Sequence, residues 1–284
     1  MTDTRAVSIV DVFATDAFCG TPTGIVHDAS GLSTAQLRAI RSELGTPVVG
    51  GLTGETLHSV GPDGDCVSAR ATIAARAVDA IADGSIDTPA RTVEVSQADQ
   101  IWIEGFEASA ETVDADEDRV ADALGLPTAA LAGVGRDLPM VRASIGRPTL
   151  AVPVNYFEQV GNLEPDPTAL RALCADRSAE TLAVYTFDTL DPDSTVHCRS
   201  FEVGAGAFSE ELASGPVAGA IGVGLRRFGE IDAATVRCEQ GDYLDRPGRV
   251  AVRTDEVAIG GRAVRALTGE IGVPPDESDD LIEL

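Results

Sequence analysis

The chain has 284 residues, enough for one large or two ordinary domains with an ample core. Hydrophobic residues make up 44% of it, normal for a globular protein, while 46 acidic residues against 21 basic ones give a formal net charge of −25. A surface of that sign repels nucleic-acid phosphates and anionic membranes, so neither is expected as a partner.

Every basic side chain is arginine, and the acid is spread along the whole chain rather than gathered in a tail. That distribution reads as adaptation to high salt: at about 1 M the Debye length is only ~3 Å and self-repulsion is screened. A salt-in, halophilic cytoplasm is the expected setting. No window reaches the roughly 18 uninterrupted apolar residues of a membrane span. Met1-Thr-Asp-Thr-Arg5 leads directly into a strand-like run, which argues against a signal peptide. Cys19, Cys66, Cys174, Cys198 and Cys238 are scattered without a Cys-x-x-Cys pair, and His27, His58 and His197 lie far apart. Both patterns argue for a reducing cytosol and against a disulfide framework or a metal site.

Taken in order, Val7–Phe13 alternates as a strand, Phe18–Gly24 is a loop, and Ser33 caps a helix through Leu44 that Gly45-Thr-Pro47 stops. Strands follow at Val48-Val49 and Thr56–Val60, then a turn at Gly61-Pro-Asp-Gly64. An alanine-rich helix is predicted over Ala69–Ala82, strands over Thr92–Val95 and Ile101–Phe106, and a short helix over Arg119–Leu124 after the acidic run Glu111–Asp118. Gly133–Asp137 is the best linker candidate. Beyond it the pattern restarts, with strands at Met140–Ser144 and Thr149–Val154, a helix over Pro167–Ala175, and strands at Thr181–Phe187 and Thr195–Phe201. Strands at Ala234–Glu239, Val250–Arg253 and Glu256–Gly269 precede an acidic tail, Asp276–Leu284.

The most distinctive stretch is Phe208–Leu225, where a polar acidic turn runs into Val217–Leu225, a segment with no charge. Ser214 or Gly215 can cap this helix, and Pro216 fits its first turn. A helix apolar all round is buried all round, and its N-terminus favours anions. Both halves therefore show strands, a turn, one strongly apolar helix, and more strands. The halves, residues 1–133 and 134–284, look like duplicates in architecture, and mixed strands wrapped around one buried helix in each make an α+β pattern. Gly204-Ala-Gly206 lacks the third glycine and the βαβ context of a dinucleotide fingerprint.

Several segments together resemble the PhzF-like family of phenazine-biosynthesis proteins, within the diaminopimelate epimerase-like fold. Asp11-Val-Phe13 with Phe18-Cys-Gly-Thr-Pro22 is similar to that family's opening strand and Gly-Asn-Pro loop, with Thr21 in place of Asn. Val196–Phe201 resembles its Arg-x-Phe segment, Glu239–Pro247 its Gln-Gly and Gly-Arg-Pro signature, and Gly260–Gly269 its closing strands. The resemblance implies an isomerase or epimerase that shifts a proton on a small carboxylate-bearing metabolite without cofactor or metal. It further implies two pseudo-symmetric domains, each a curled mixed sheet around a central helix, an active site in the cleft between them, and a homodimer. It places Ser68, Arg70, Ala71 and Thr72 at one helix mouth, Ser214 and Gly215 at the other, and Thr21 in the loop, as the substrate-binding set.

The catalytic positions depart from the pattern. The family's glutamate falls on Val48, its His on Arg70, and its Glu-Asp-Pro Asp on Glu211, while Thr-Gly-Ser becomes Ser214-Gly215-Pro216. The two cysteines of a related branch correspond to Ser68 and Ala213. Glu211 is then the remaining acid/base. Arg70 has two readings, an anion clamp or a partner for Glu211 that closes the site. The competing functional reading is a catalytically silent family member that binds a metabolite or a protein. Cys66, Cys198, His197, His27 and Trp102 read as structural or solvated residues.

Overall fold

Alternating strands interrupted by two apolar helices build, in a computed structural model, the same α+β motif twice. The structure describes residues 3–61, 64–66, 68–134, 138–204, 208–229 and 234–276. Parts of the Gly61–Gly64 turn, the Gly133–Asp137 linker, Gly204–Gly206 and the acidic tail lie outside the described residues. Two compact units form, Met1–Gly105 with Gly261–Leu284, and Phe106–Gly260. The sequence places the change of domain at residue 133; the chain instead leaves the first unit after Gly105 and returns at Gly261. The returning segment is the cause, because it pairs along the full length of the first strand.

In the first unit, β1 (Thr4–Val12), β2 (Thr21–Val26), β3 (Val48–Thr53), β4 (Thr56–Gly61), β5 (Gly64–Cys66), β6 (Gly84–Asp87), β7 (Thr92–Gln97) and β8 (Ile101–Glu104) form a mixed sheet. Helix α1 (Thr34–Leu44) begins at the expected cap: Ser33 and Gln36 make a reciprocal capping box, and Gly45 ends the helix in the left-handed region at φ +64°. Helix α2 (Ala69–Ala77) is shorter than the predicted Ala69–Ala82. Arg76 near its C-terminus pairs with Asp79 and Asp83, and Asp79 takes φ +56°, which turns the chain out of the helix. The helix packs on β1, β2, β3 and β8, so the sheet curls around it. On the opposite face Leu37 and Ile40 of α1 meet Val49 and Val60.

The second unit contains β9 (Ser109–Thr112), α3 (Glu117–Leu124), β10 (Val141–Ser144), β11 (Thr149–Pro153), α4 (Phe157–Gly161), α5 (Pro167–Ala175) and β12 (Thr181–Thr186). It continues through β13 (Val196–Glu202), β14 (Ser209–Glu210), α6 (Gly215–Phe228), β15 (Thr235–Gln240), β16 (Gly248–Arg253) and β17 (Ala258–Gly261). The predicted strand Glu256–Gly269 is thus two strands, β17 and β18 (Ala263–Gly272), and the second of these pairs with β1.

The duplication expected from the sequence is visible in the pairing. From β18 through β1, β2, β3, β4, β6, β7 and β8, neighbours run antiparallel, antiparallel, parallel, antiparallel, parallel, antiparallel, antiparallel. From β9 through β10, β11, β12, β13, β15, β16 and β17 the series is identical. Helix α5 stands where α1 stands, between the first parallel pair, and α6 where α2 stands, between the second. Helix α6 packs on β9, β10, β11, β15 and β16. Its glycines admit the sheet closely: a Cβ on Gly219 would lie 2.2 Å from Ile145 Cδ1. The opposite face carries the larger core, with Leu170 and Leu173 of α5 against Leu150, Val152, Leu182 and Phe201.

Candidate active site

The turn Glu211-Leu-Ala-Ser214 joins β14 to α6, and the sequence-predicted acid sits at its start. Ser214 holds the N-cap position with extended backbone, but its side chain makes no capping bond, contrary to the expected cap. Its hydroxyl instead lies 3.4 Å from Arg147 Nη2, and its N–H donates to Gln240 Oε1 at 3.1 Å. Gly215 and Pro216 open the helix, and Gly215 is buried.

The Glu211 carboxylate, 11% exposed, is held at both oxygens. Arg147 Nη2 donates to Oε1 at 2.5 Å and Ser200 Oγ donates to Oε2 at 3.1 Å. The Glu211 N–H donates to the Ser200 carbonyl at 2.8 Å, which fixes the turn to β13. Arg147 comes from the tight connection between β10 and β11, where Gly146 takes φ +129°. Burial works against the Arg147 charge, but the Glu211 carboxylate and its hydrogen bond, backed by Glu202 and Glu180, outweigh it and raise the guanidinium above its ordinary value. Gln240, wholly buried at the end of β15, donates to Ser200 Oγ at 2.8 Å and to the Glu211 carbonyl at 3.2 Å.

Strand alternation separates this cluster from a second one on β13 and β15, which pair in parallel with His197 opposite Glu239 and Cys198 opposite Gln240. His197 Nδ1 lies 2.9 Å from Glu239 Oε2, and both side chains are fully buried. Burial opposes the Glu239 charge, yet the His197 hydrogen bond, the N–H groups of Leu190 and Asp191, and Arg249 together bring its carboxyl down to about 2. Arg199 forks onto Glu210 at 2.8 and 2.7 Å and lies over the Tyr243 ring. His197 and Arg199 therefore hold β13 to its surroundings.

In the first unit, Val48 opens β3 and is buried, paired in register with Thr23 of β2. Thr21 opens β2 and is fully buried. Ser68 caps α2, accepting from the Ala71 N–H at 3.3 Å, while Thr72 donates both its N–H and its hydroxyl to the Ser68 carbonyl. Arg70 lies in the same first turn, half-buried. The structure thus groups Glu211, Ser214 and Gly215 in one cluster, and Ser68, Arg70, Ala71 and Thr72 in one turn of the other unit. Arg147, Ser200 and Gln240 were not singled out by sequence. The last two lie inside the Arg-x-Phe and Gln-Gly segments, and Arg147 carried no signal beyond a Gly-Arg-Pro turn. Two surface cavities, about 240 Å³ beside Leu131 and Met140 and about 270 Å³ beside Gln97 and Arg262, are lined by none of these residues. Among the described residues no group of three His, Cys, Asp or Glu is placed to hold a metal, and no helix is long and apolar enough to cross a membrane.

The family model for phenazine biosynthesis-like proteins, PhzC-PhzF, matches residues 82–269, well over half the chain. The chain belongs to this family. The matched range includes Arg147, Ser200, Glu211, Ser214, Gly215 and Gln240, whereas Thr21, Val48 and Ser68–Thr72 precede it. The uncharacterized isomerase YfhB of Bacillus subtilis is 28% identical over 154 residues, 54% of this chain and only 51% of that protein. An uncharacterized isomerase of Mesorhizobium japonicum is 25% identical across 94% of this chain and 99% of its own length. Among solved structures, a PhzF-family phenazine biosynthesis protein of Bacillus anthracis superposes with a TM-score of 0.82 at 21% identity, covering 95% of this chain and 99% of the other. A predicted epimerase of Pseudomonas aeruginosa gives 0.74 at 22%, covering 94% and 99%. These likenesses establish the epimerase-like α+β fold for the PhzF-family chain.

Proposed function

We propose that this chain is a cofactor-independent isomerase or epimerase that moves a proton on a small carboxylate-bearing metabolite, with Glu211 as acid/base. The observation that carries the reading is the Glu211 carboxylate, nearly enclosed and gripped by Arg147 and Ser200 at the mouth of an uncapped apolar helix. A positioned carboxylate can take a proton from carbon and return it, and the positive end of α6 favours the charge that develops on the substrate. Both curated relatives bear the name isomerase, and one structural relative the name epimerase. Losing a positioned base typically lowers the rate ~10²–10⁴-fold, and Val48 cannot accept a proton, so Glu211 has to serve in both directions. A single acid/base returns the proton on the face from which it was taken, which suits a proton shift between carbons better than inversion. Arg70, a permanent cation in the first turn of α2, is the proposed clamp for the substrate carboxylate.

The test is incubation in D₂O with a panel of amino acids, 2-hydroxy acids and unsaturated carboxylates, followed by NMR. Wild type is expected to exchange C–H for C–D on at least one member, Glu211→Gln to abolish it, and Arg70→Ala to raise KM. Absence of exchange across the panel counts against the reading. Val48 also supports a second reading, a binding protein without turnover. A ligand that raises the melting temperature without being converted, and whose effect disappears in Arg70→Ala, would favour it.

A further inference from the structure

We propose that Gln240 is a positioning residue: it sets the direction of the hydrogen bonds that reach Glu211 and, through Ser200, keeps Glu211 Oε2 as an acceptor. This rests on the reading of Glu211 as acid/base and adds a residue that touches no substrate. The neighbours of the Gln240 amide fix its orientation. The Ser214 N–H can only donate, so the amide atom 3.1 Å away is the oxygen; the Glu211 carbonyl can only accept, so the atom 3.2 Å from it is the nitrogen. That same nitrogen lies 2.8 Å from Ser200 Oγ and donates to it. With a lone pair of the hydroxyl taken, its single proton turns to Glu211 Oε2, 3.1 Å away.

The polarity Gln240 to Ser200 to Glu211 cannot be reversed without setting two donors or two acceptors face to face in a buried site. Flipping the amide would put its nitrogen against the Ser214 N–H and its oxygen against the Glu211 carbonyl. The other carboxylate oxygen, Oε1, meets Arg147, which has donors only. Arg147 on the β10–β11 connection faces Glu211, and Glu202 on β13 and Glu180 before β12 act in turn on Arg147. Both oxygens of Glu211 face donors whose direction the fold dictates, an arrangement suited to the proton-accepting form.

Two variants separate the parts. Ser200→Ala removes only the hydroxyl, and Gln240→Met removes both amide groups at similar volume. Ser200→Thr restores a hydroxyl. The first measurement needs no substrate: the ¹³C shift of the Glu211 side-chain carboxyl at one neutral pH, identified by its absence in Glu211→Gln. It should move in Ser200→Ala and in Gln240→Met, because the hydrogen bond to Oε2 is lost or no longer directed, and return in Ser200→Thr. The second measurement is exchange in D₂O on whichever panel member wild type turns over. There kcat should be about tenfold lower with KM nearly unchanged. An unmoved carboxyl shift in folded Ser200→Ala overturns the proposal whatever the exchange data say. A moved shift with no exchange in wild type leaves the relay standing and removes the acid/base reading instead. If Gln240→Met does not fold, Ser200→Ala decides alone.

Discussion

Removing the Arg147 guanidinium while keeping its alkyl stem, as in Arg147→Met, isolates the charge pair at the α6 mouth. The side chains of Arg147 and Glu211 are 23% and 11% exposed, between the surface pairs that contribute ~0–1 kcal/mol and the buried pairs whose disruption costs about 3–5 kcal/mol. Water still reaches the pair, so a loss of about 2 kcal/mol is expected, in line with a hydrogen bond to a charged group. Glu211→Gln lets the amide keep its contact with Ser200 while removing the charge that Arg147 balances. In the double variant no charge is left uncompensated, so its loss should fall about 1–2 kcal/mol short of the sum of the two singles. Urea unfolding in about 1 M KCl, where the rest of the acidic surface is screened, reads this through the midpoint at constant slope. Arg147→Met within about 0.5 kcal/mol of wild type, or a strictly additive double variant, would refute the pairing as an energetic unit.

Helix α6 offers a paired packing test. Gly219→Ala brings a Cβ to 2.2 Å from Ile145 Cδ1 and 2.7 Å from Cγ1, so overpacking of about 1–3 kcal/mol should outweigh the ~1 kcal/mol gained in helix propensity; Gly224→Ala meets Val141 at an ordinary 3.4 Å and should be neutral or stabilising by thermal melting. Glu239 supplies a pH dependence. Its carboxyl is lowered from 4.5 to about 2 in the fold, so its stabilisation is fully present above about pH 4.5 and is lost as pH falls towards 2; Glu239→Gln should flatten that part of the stability curve, and an unchanged curve would contradict the assignment. The net charge of −25 predicts a melting temperature that climbs steeply between dilute buffer and about 1 M KCl, and a flat response would remove the high-salt reading.

Local signals carried much of the fold. The Ser33 cap and the Gly45 stop bracket α1 where the sequence places them, and Pro167 starts α5 as predicted. What escaped was set by distant pairing. The run read as a strand from Glu256 to Gly269 contains the crossing between units, and only the partnership of its second part with β1 reveals that. The short α4 and β9 have too few residues to show a period. At the site, Glu211 came from the resemblance, which sets it at the family's Glu-Asp-Pro position; the acidic turn by itself did not single it out from Glu210. Arg147 was not legible, because its 64-residue separation from Glu211 is closed only by the register of β10 through β13. The Gln240 amide was invisible for the same reason: its partners lie on a neighbouring strand and a turn, and nothing in Gln-Gly announces them.

The two halves also show how one motif diverges at equivalent points. Helices α2 and α6 occupy the same place in the pairing series, and each begins with a serine at the N-cap. In α2 the serine does what N-cap serines do, accepting from the backbone N–H three residues on. In α6 the corresponding hydroxyl turns aside to Arg147, and the N–H of that serine is held by Gln240. The first helix is capped by its own serine, while the serine of the second makes no capping bond and is flanked by a carboxylate–guanidinium pair. A helix that needed only stability would gain about 1 kcal/mol from the ordinary cap. The α6 serine forgoes that bond and stands beside an enclosed acid, the arrangement on which the proposed acid/base role of Glu211 rests.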